Sequence, residues 1–306
     1  MSTTPTFSDG FTLGQAYELA VATKWKNNQS LRSYYAPVGG TTIERFGHRI
    51  ALAEVRPRDI SNFVDICIRK GDSPSTVNHR LAILGKLWKF ALFHWEVPGV
   101  QKIDWSQYRQ RNPRKGRSRE ITTEEQNQMV SILSSFENKG AEQLADAIQL
   151  AVWTGLRQGE LLALEVMDYQ REYNRLYVRR SYGSKTTKTG RTRYVPVRGP
   201  ALDMVERLVA SARAEKRTRL FKHLDRFRIA ALWRKLRKSM HLEGDDEFVF
   251  HALRHTSASR LTRMGASTRH VQEWLGHQDI KTTQRYTHLA TDDLDHLAEL
   301  MASDTA

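Results

Sequence analysis

The chain has 306 residues and a formal net charge of +14, a length that suits two domains rather than one and a charge that suits a polyanionic partner. Forty per cent of the residues are hydrophobic, seven of them Trp and eleven Phe, which is too much apolar surface for a disordered chain. No run approaches about 18 apolar residues, so no transmembrane helix is expected; residues 1–10 lack a basic stretch followed by an apolar one, so no signal peptide is expected; and with Cys67 as the one cysteine, an internal disulfide and a thiolate zinc site are excluded.

Residues 11–95 read as helical. Leu13, Ala16, Tyr17 and Ala20 fall at i, i+3, i+4 and i+7, an amphipathic stripe. The Pro-Val-Gly-Gly run from Pro37 to Thr41 is expected to break the pattern. A second helix is expected from Pro57 to Arg69, and Cys67, in the apolar run 63–68, reads as a small core residue. The run Gly71-Asp72-Ser73-Pro74-Ser75 is a turn. A longer helix over 76–95 follows, with Leu81, Leu84, Leu87, Trp88, Ala91 and Leu92 apolar and Lys86 and Lys89 on its other side. Pro98-Gly99 ends it.

Residues 101–119 read as a linker. They hold seven basic residues (Lys102, Arg109, Arg111, Arg114, Lys115, Arg117, Arg119), one acid (Asp104), Pro113 and Gly116, and no helical stripe. A solvated tether and a strap along DNA phosphates are both open, and both can hold at once. The domains are therefore expected at 1–100 and 120–306. The second opens with capping-box spacing at Thr122 and Glu125, ahead of Met129, Ile132 and Leu133. A helix over 141–153 comes next. The β-branched and aromatic runs 175–180 and 194–197, separated by a Gly/Lys/Thr-rich turn, form a hairpin or small sheet. Residues 200–301 are again mostly helical. The expected fold class is mainly α with a small β-sheet.

Cutting a DNA phosphodiester without a metal requires cations for the non-bridging oxygens, a proton donor for the leaving oxygen and an in-line nucleophile. Arg suits the first task, Lys or His the second, and a Tyr, Ser or Thr hydroxyl the third. The sequence has no P-loop, no HExxH and no two-metal carboxylate cluster. Four segments carry suitable parts. They are TGLRQGEL at 154–161, SKTTKTGR at 184–191, HALRHT at 251–256, and the run from Leu275-Gly276-His277 to Tyr286-Thr287-His288. Taken alone, each has an ordinary explanation: a surface arginine paired with Glu160, a solvated basic turn, a structural histidine, a packed tyrosine.

Together and in this order, the segments resemble the tyrosine recombinase family, which includes phage integrases and Xer-type recombinases. TGLRQGEL resembles its first-arginine motif, HALRHTSAS its His-x-x-Arg motif, and LGHQDIKTTQRYTH the segment with its second histidine and nucleophilic tyrosine. Separations of 97, 23 and 9 residues link Arg157, Arg254, His277 and Tyr286. The resemblance is firm over 122–289 and looser over 11–95, which is similar to the family's helical core-binding domain.

The resemblance implies a role for each matched residue. Arg157 and Arg254 would clamp the scissile phosphate, and His277 would donate a further hydrogen bond. Tyr286 would attack phosphorus to leave a 3′-phosphotyrosine. Lys188 would protonate the departing 5′-oxygen; it is preferred to Lys185 because it precedes Thr189-Gly190 and lies eight residues before Pro196. His251 would accept a proton or support the tyrosine. Glu160 would hold a neighbouring Arg or His. His255 and His288 are read as accessory or structural. A tyrosine with the reference pKa of about 10 is mostly neutral at pH 7, so a neighbour must take its proton. No metal, ATP or other cofactor is implied.

Double-stranded DNA is the implied partner, held in a C-shaped clamp by a homotetramer on two sites in the bacterial cytoplasm or nucleoid, with no membrane. Lys86, Lys89, Arg114, Lys115, Arg117 and Arg119 are the candidate DNA contacts, beside the basic region 217–238. Asp292, Asp293, Leu294, Leu297 and Leu300 make a short amphipathic helix expected to dock on a neighbouring protomer. The core-binding helices are expected to begin near Phe11, and an extra N-terminal arm-binding domain is not expected. DNA-bending or directionality factors stay open, as does the target site. A non-catalytic DNA-binding protein is the first rival, and a type IB topoisomerase or telomere resolvase the second.

Overall fold

The computed structural model of the chain describes residues 7–8, 10–26, 29–111, 119–188, 190–284 and 286, with 29–37 as backbone only. The chain divides into two compact units, Met1–Arg114 and Lys115–Ala306. No helix among the described residues is long and apolar enough to cross a membrane.

The first unit is built of helices α1 (Leu13–Ala22), α2 (Gln29–Phe46), α3 (Pro57–Arg69) and α4 (Pro74–Phe93). Helix α1 starts where expected, under a capping box between Thr12 and Gln15. Helix α3 has the expected bounds. The break expected at 37–41 does not occur: α2 runs through it. Gly39 is a place of close approach rather than a stop, because a Cβ there would stand 2.5 Å from the Tyr17 ring. Leu13, Ala16, Phe63, Leu81, Leu84, Leu87 and Trp88 form the core, and Cys67 is buried among them.

Residues 101–111, read as the start of a tether, fold onto α4. Trp105 meets Trp88 edge to face at 5.3 Å. Asn78 exchanges two 2.8 Å hydrogen bonds with the main chain of Gln110. Ile103, Trp105 and Tyr108 supply the apolar contacts. Trp105 and Tyr108 sit on a short 3-10 turn, and Ile103 precedes it, so these residues follow no α-helical period and show no stripe.

The second unit contains α5 (Thr123–Ser134), α6 (Lys139–Thr154), α7 (Gln158–Leu162), strands β1 (Tyr169–Gln170), β2 (Arg175–Val178) and β3 (Arg193–Pro196), then α8 (Pro200–Ala214), α9 (Arg226–Ser239), α10 (His251–Arg263), α11 (Thr268–Leu275) and α12 (Lys281–Gln284). The Thr122–Glu125 capping box is formed as its spacing requires. The antiparallel sheet has the order β1-β2-β3 and pairs Tyr169 with Leu176 and Tyr177 with Tyr194. Leu176, Val178 and Val195 turn inward to a core shared with α6, α8 and α10. The expected hairpin is β2–β3; two-residue β1 is too short for a periodic signal.

Candidate active site

Helix α6 stops at Gly155 in the left-handed conformation, where a Cβ would also lie 2.4 Å from the Leu275 side chain. The chain can therefore turn tightly and place Arg157 at the N-cap of α7. Its main-chain N–H and its guanidinium both donate to Glu160, at 3.1 and 2.7 Å. Gly159 admits the hairpin turn. A Cβ there would clash with Ser181 at 2.3 Å, and the Tyr182 N–H donates to the Gly159 carbonyl at 2.7 Å. That contact draws the turn carrying Lys188 toward α7.

Three arginines meet at the end of α11. Arg193 donates to the Trp274 carbonyl at 2.9 Å, Arg254 to the Leu275 carbonyl at 2.7 Å, and Arg157 to the Gly276 carbonyl at 3.4 Å. Carbonyls at a helix C-terminus lack intrahelical partners and carry partial negative charge, so cations settle there. Arg254 also donates to the Gly155 carbonyl at 2.7 Å. One carboxylate sits among the three: Glu160, 1% exposed, accepts from Arg157 and, at 2.8 Å, from Arg193.

Charge and burial act on these groups in opposite directions. Burial would raise the Glu160 pKa, but the hydrogen bond and charge of Arg193, with the charges of Arg157 and Arg254, outweigh it and bring it down to about 2. Burial and the charge of Arg157 pull Arg254 down to about 9, still protonated at neutral pH. His251 keeps part of its ring open to solvent. The protein packed around it, then the electrostatic influence of His255 and of the cations Arg254, Arg157 and Lys188, hold its pKa near 4. Lys188 itself is exposed, as is Lys185, but the Lys188 charge reaches His251.

After Gly276, the His277 N–H donates to the Gln272 carbonyl at 3.0 Å and its Nδ1 lies 2.8 Å from the Thr283 hydroxyl. Short helix α12 then brings the chain back to Tyr286. The tyrosine is 6% exposed and packs on Ala258, Val271 and Leu275. Its hydroxyl is hydrogen-bonded to Nδ1 of His255. The His251 ring stands edge-on to that of His255 at 4.9 Å.

Arg157, Glu160, Arg254, His277 and Tyr286 thus converge around the α11 terminus, with His251 and the Lys188 turn beside them. Arg193 is not among the sequence candidates, and His255 is read there only as accessory or structural. His255 had a signal, four residues after His251 and so on the same face of α10. Arg193 had none, because its inward direction is set by sheet register. Arg119, a candidate DNA contact, is engaged within the protein: its guanidinium is ion-paired with Glu125 and, at 2.9 Å, with Asp245, and it lies over the Phe248 ring. Lys86 is half-buried and Lys89 exposed, while Arg114, Lys115, Arg117, His288 and the tail leucines lie outside the described residues. Of the basic region 217–238, Arg217 and Arg237 are spent on main-chain carbonyls, whereas Arg226, Arg228, Arg234, Lys235 and Lys238 are exposed on α9.

A family model described as the phage integrase family matches residues 119–292. The chain is 30% identical over 236 residues to the tyrosine recombinase XerD of Lacticaseibacillus casei, covering 72% of this chain and 75% of that protein. The Tn1549 transposon integrase, solved with a circular intermediate DNA, superposes with a TM-score of 0.73 at 18% identity, over 94% of this chain and 99% of the other. A lambda integrase tetramer bound to a Holliday junction gives 0.61 at 20% identity, over 88% and 78%. At these identities the two structures share the fold with this chain.

Proposed function

Because the chain belongs to the phage integrase family, we propose that it is a site-specific DNA recombinase that cuts and rejoins duplex DNA through a 3′-phosphotyrosine. The observation that carries this reading is the set of three arginines on the Trp274, Leu275 and Gly276 carbonyls, two of them paired with Glu160, next to His277 and close in the chain to Tyr286. Carbonyl dipoles orient guanidinium groups but do not neutralise them, so the site holds a cationic surplus that suits a phosphodiester.

Arg157 and Arg254 grip the non-bridging oxygens, and His277, aligned by Thr283, adds a further donor. Arg193 and Glu160 hold the arginines in register. Tyr286 attacks phosphorus, with His251 at its side. Lys188 protonates the 5′-oxygen as it leaves, and a 5′-hydroxyl from a second duplex later displaces the tyrosine. The phosphoester bond is conserved throughout, so the exchange needs no ATP. The exposed cations of α9, with Lys89 on α4, supply contacts to the duplex. The chain works as a tetramer on two sites, in keeping with the fold it shares with the tetrameric lambda integrase. A chain ended after Leu289 is expected to lose strand exchange; normal recombination by it would remove the tail from that assembly.

The test is covalent capture. Wild type and Tyr286→Phe are incubated, with a chelator present, with nicked duplex fragments from the DNA flanking the gene, then denatured in SDS. A protein–DNA adduct with wild type and none with Tyr286→Phe is expected. Binding by both with no adduct from either would favour a non-catalytic binder. Relaxation of supercoiled DNA without any preferred site would favour a topoisomerase.

A further inference from the structure

Tyr286 cannot attack phosphorus without losing its proton, and its surroundings restrict where that proton can go. The side chain packs on Ala258, Val271 and Leu275 and is 6% exposed, so bulk water is a poor acceptor there. The Tyr286 hydroxyl is hydrogen-bonded to Nδ1 of His255, itself only 5% exposed. A neutral imidazole carries one N–H and one bare nitrogen, so it can accept this proton without a change of place. A general base is identified first by reach to the proton it removes. His251 has ring contact with His255, but the nitrogen at the phenol belongs to His255.

Position strengthens the case. His255 follows Arg254 directly on α10, so one rigid helix carries both the phosphate clamp and the group at the nucleophile. The Thr256 hydroxyl next along accepts from the Ile121 N–H at 2.8 Å and donates to the Ala252 carbonyl at 2.9 Å, which fixes this turn of α10 from outside.

Resting on the recombinase reading, we propose that His255 is the base that takes the Tyr286 proton at strand cleavage and the acid that returns it at strand joining. In cleavage the O–H bond of Tyr286 breaks and its proton passes to Nδ1. The tyrosine oxygen bonds to phosphorus, the bond from phosphorus to the 5′-oxygen breaks, and that oxygen takes its proton from Lys188. In joining the 5′-hydroxyl gives its proton back to Lys188 and attacks phosphorus. The tyrosine oxygen departs and recovers its proton from the His255 imidazolium. No oxidant, metal or further reactant is needed for the balance.

The experiment separates proton transfer from packing by changing the leaving group. Adduct formation on nicked duplex fragments is compared for wild type, His255→Gln and His251→Gln. Joining is measured separately in the Tyr286→Phe background, alone and combined with His255→Gln or with His251→Gln. The probe there is a strand ending in a 3′-p-nitrophenyl phosphate, attacked by a 5′-hydroxyl strand. Nitrophenolate leaves without a proton, so joining from this ester bypasses His255. The expected result is a loss of about 100-fold or more in adduct formation by His255→Gln, with joining from the activated ester kept within about 3-fold. Equal losses in both assays would make His255 a packing residue and overturn the proposal. So would undiminished adduct formation by His255→Gln, or the selective pattern appearing in His251→Gln alone. If wild type forms no adduct and Tyr286→Phe does not join the activated ester, the recombinase reading itself fails and takes the proposal with it.

Discussion

Each unit of the chain ties arginines to one carboxylate, and the two arrangements differ in what is left over. In the first unit Asp72 pairs with Arg45 and, at 2.8 Å, with Arg80, while Arg80 also donates to the hydroxyls of Thr41 and Thr42 at 3.0 and 3.1 Å. In the second, Arg157 and Arg193 pair with Glu160, Arg254 lies within reach of its charge, and all three donate to main-chain carbonyls. The charges respond in opposite directions. The hydrogen bond to Cys67 and the pairing with Asp72 hold Arg45 above its ordinary value, whereas burial and the charge of Arg157 pull Arg254 down to about 9. Two cations on one anion make a structural tie. Three cations on one anion, gathered at a helix end, make a site short of negative charge, and a phosphate supplies it.

The comparison breaks if the two knots respond alike to mutation. Arg254→Gln is expected to lower covalent cleavage by about 1,000-fold, the cost of losing a donor aimed at developing charge, with DNA binding retained; rapid denaturing assays of adduct formation read this. Asp72→Asn is expected to do the reverse. It leaves Arg80, 9% exposed, without its counter-charge, at a cost of about 3 kcal/mol in folding stability, while cleavage per folded molecule stays at the wild-type rate. Urea unfolding followed by tryptophan fluorescence measures the first effect and adduct formation the second. Loss of cleavage in Asp72→Asn at temperatures where it is folded would make both knots catalytic.

The two knots were unequally legible in the sequence. Arg157, Arg254, His277 and Tyr286 sit in short motifs whose local backbone does the placing: a left-handed glycine before Arg157, another before His277, a helix start at His251. Their convergence followed from motif order once the resemblance was seen. The apolar stripe of α1 and the capping-box spacing of α5 were legible for the same reason, since each signal lies within one or two turns of chain. What stayed hidden depends on contacts between distant segments. Arg193 reaches Glu160 across 33 residues, Arg119 reaches Asp245 across 126, and Arg80 reaches Thr42 across 38. No local pattern distinguishes such an arginine from a solvated one, so the linker reading placed Arg119 on DNA. Gly39 misled in the opposite way, because a glycine that permits close packing looks the same as one that ends a helix.

Acid sharpens the comparison at smaller cost. The folded-state pKa of Glu160 is depressed to about 2, from an ordinary 4.5. Its contribution to stability is therefore present above pH 4.5 and lost as the pH falls from there toward 2. Glu160→Gln is expected to flatten that part of the acid-unfolding curve, by on the order of 2 kcal/mol, and to leave Asp72-dependent loss in place, since that carboxyl is also held low by Arg80 and Arg45 against the effect of its burial. Urea midpoints collected across this range show whether the slope changes; an unchanged slope in Glu160→Gln would mean the carboxylate is not what joins Arg157 to Arg193.

The smallest effect distinguishes a cation spent inside the protein from one kept for DNA. Arg119 is 22% exposed and engaged by Glu125 and Asp245, whereas Arg234 is exposed on α9. A phosphate contact releases counterions, so its removal lowers the slope of log binding constant against log salt by about 1. Arg234→Gln is expected to show that drop. Arg119→Gln is expected to keep the wild-type slope and to lose only about 1 kcal/mol of stability, the usual scale for a partly exposed ion pair with good geometry. Fluorescence anisotropy on one duplex over a salt series measures both slopes. A shallower slope in Arg119→Gln would return that residue to the DNA interface and would mean that its two carboxylates release it when a duplex binds.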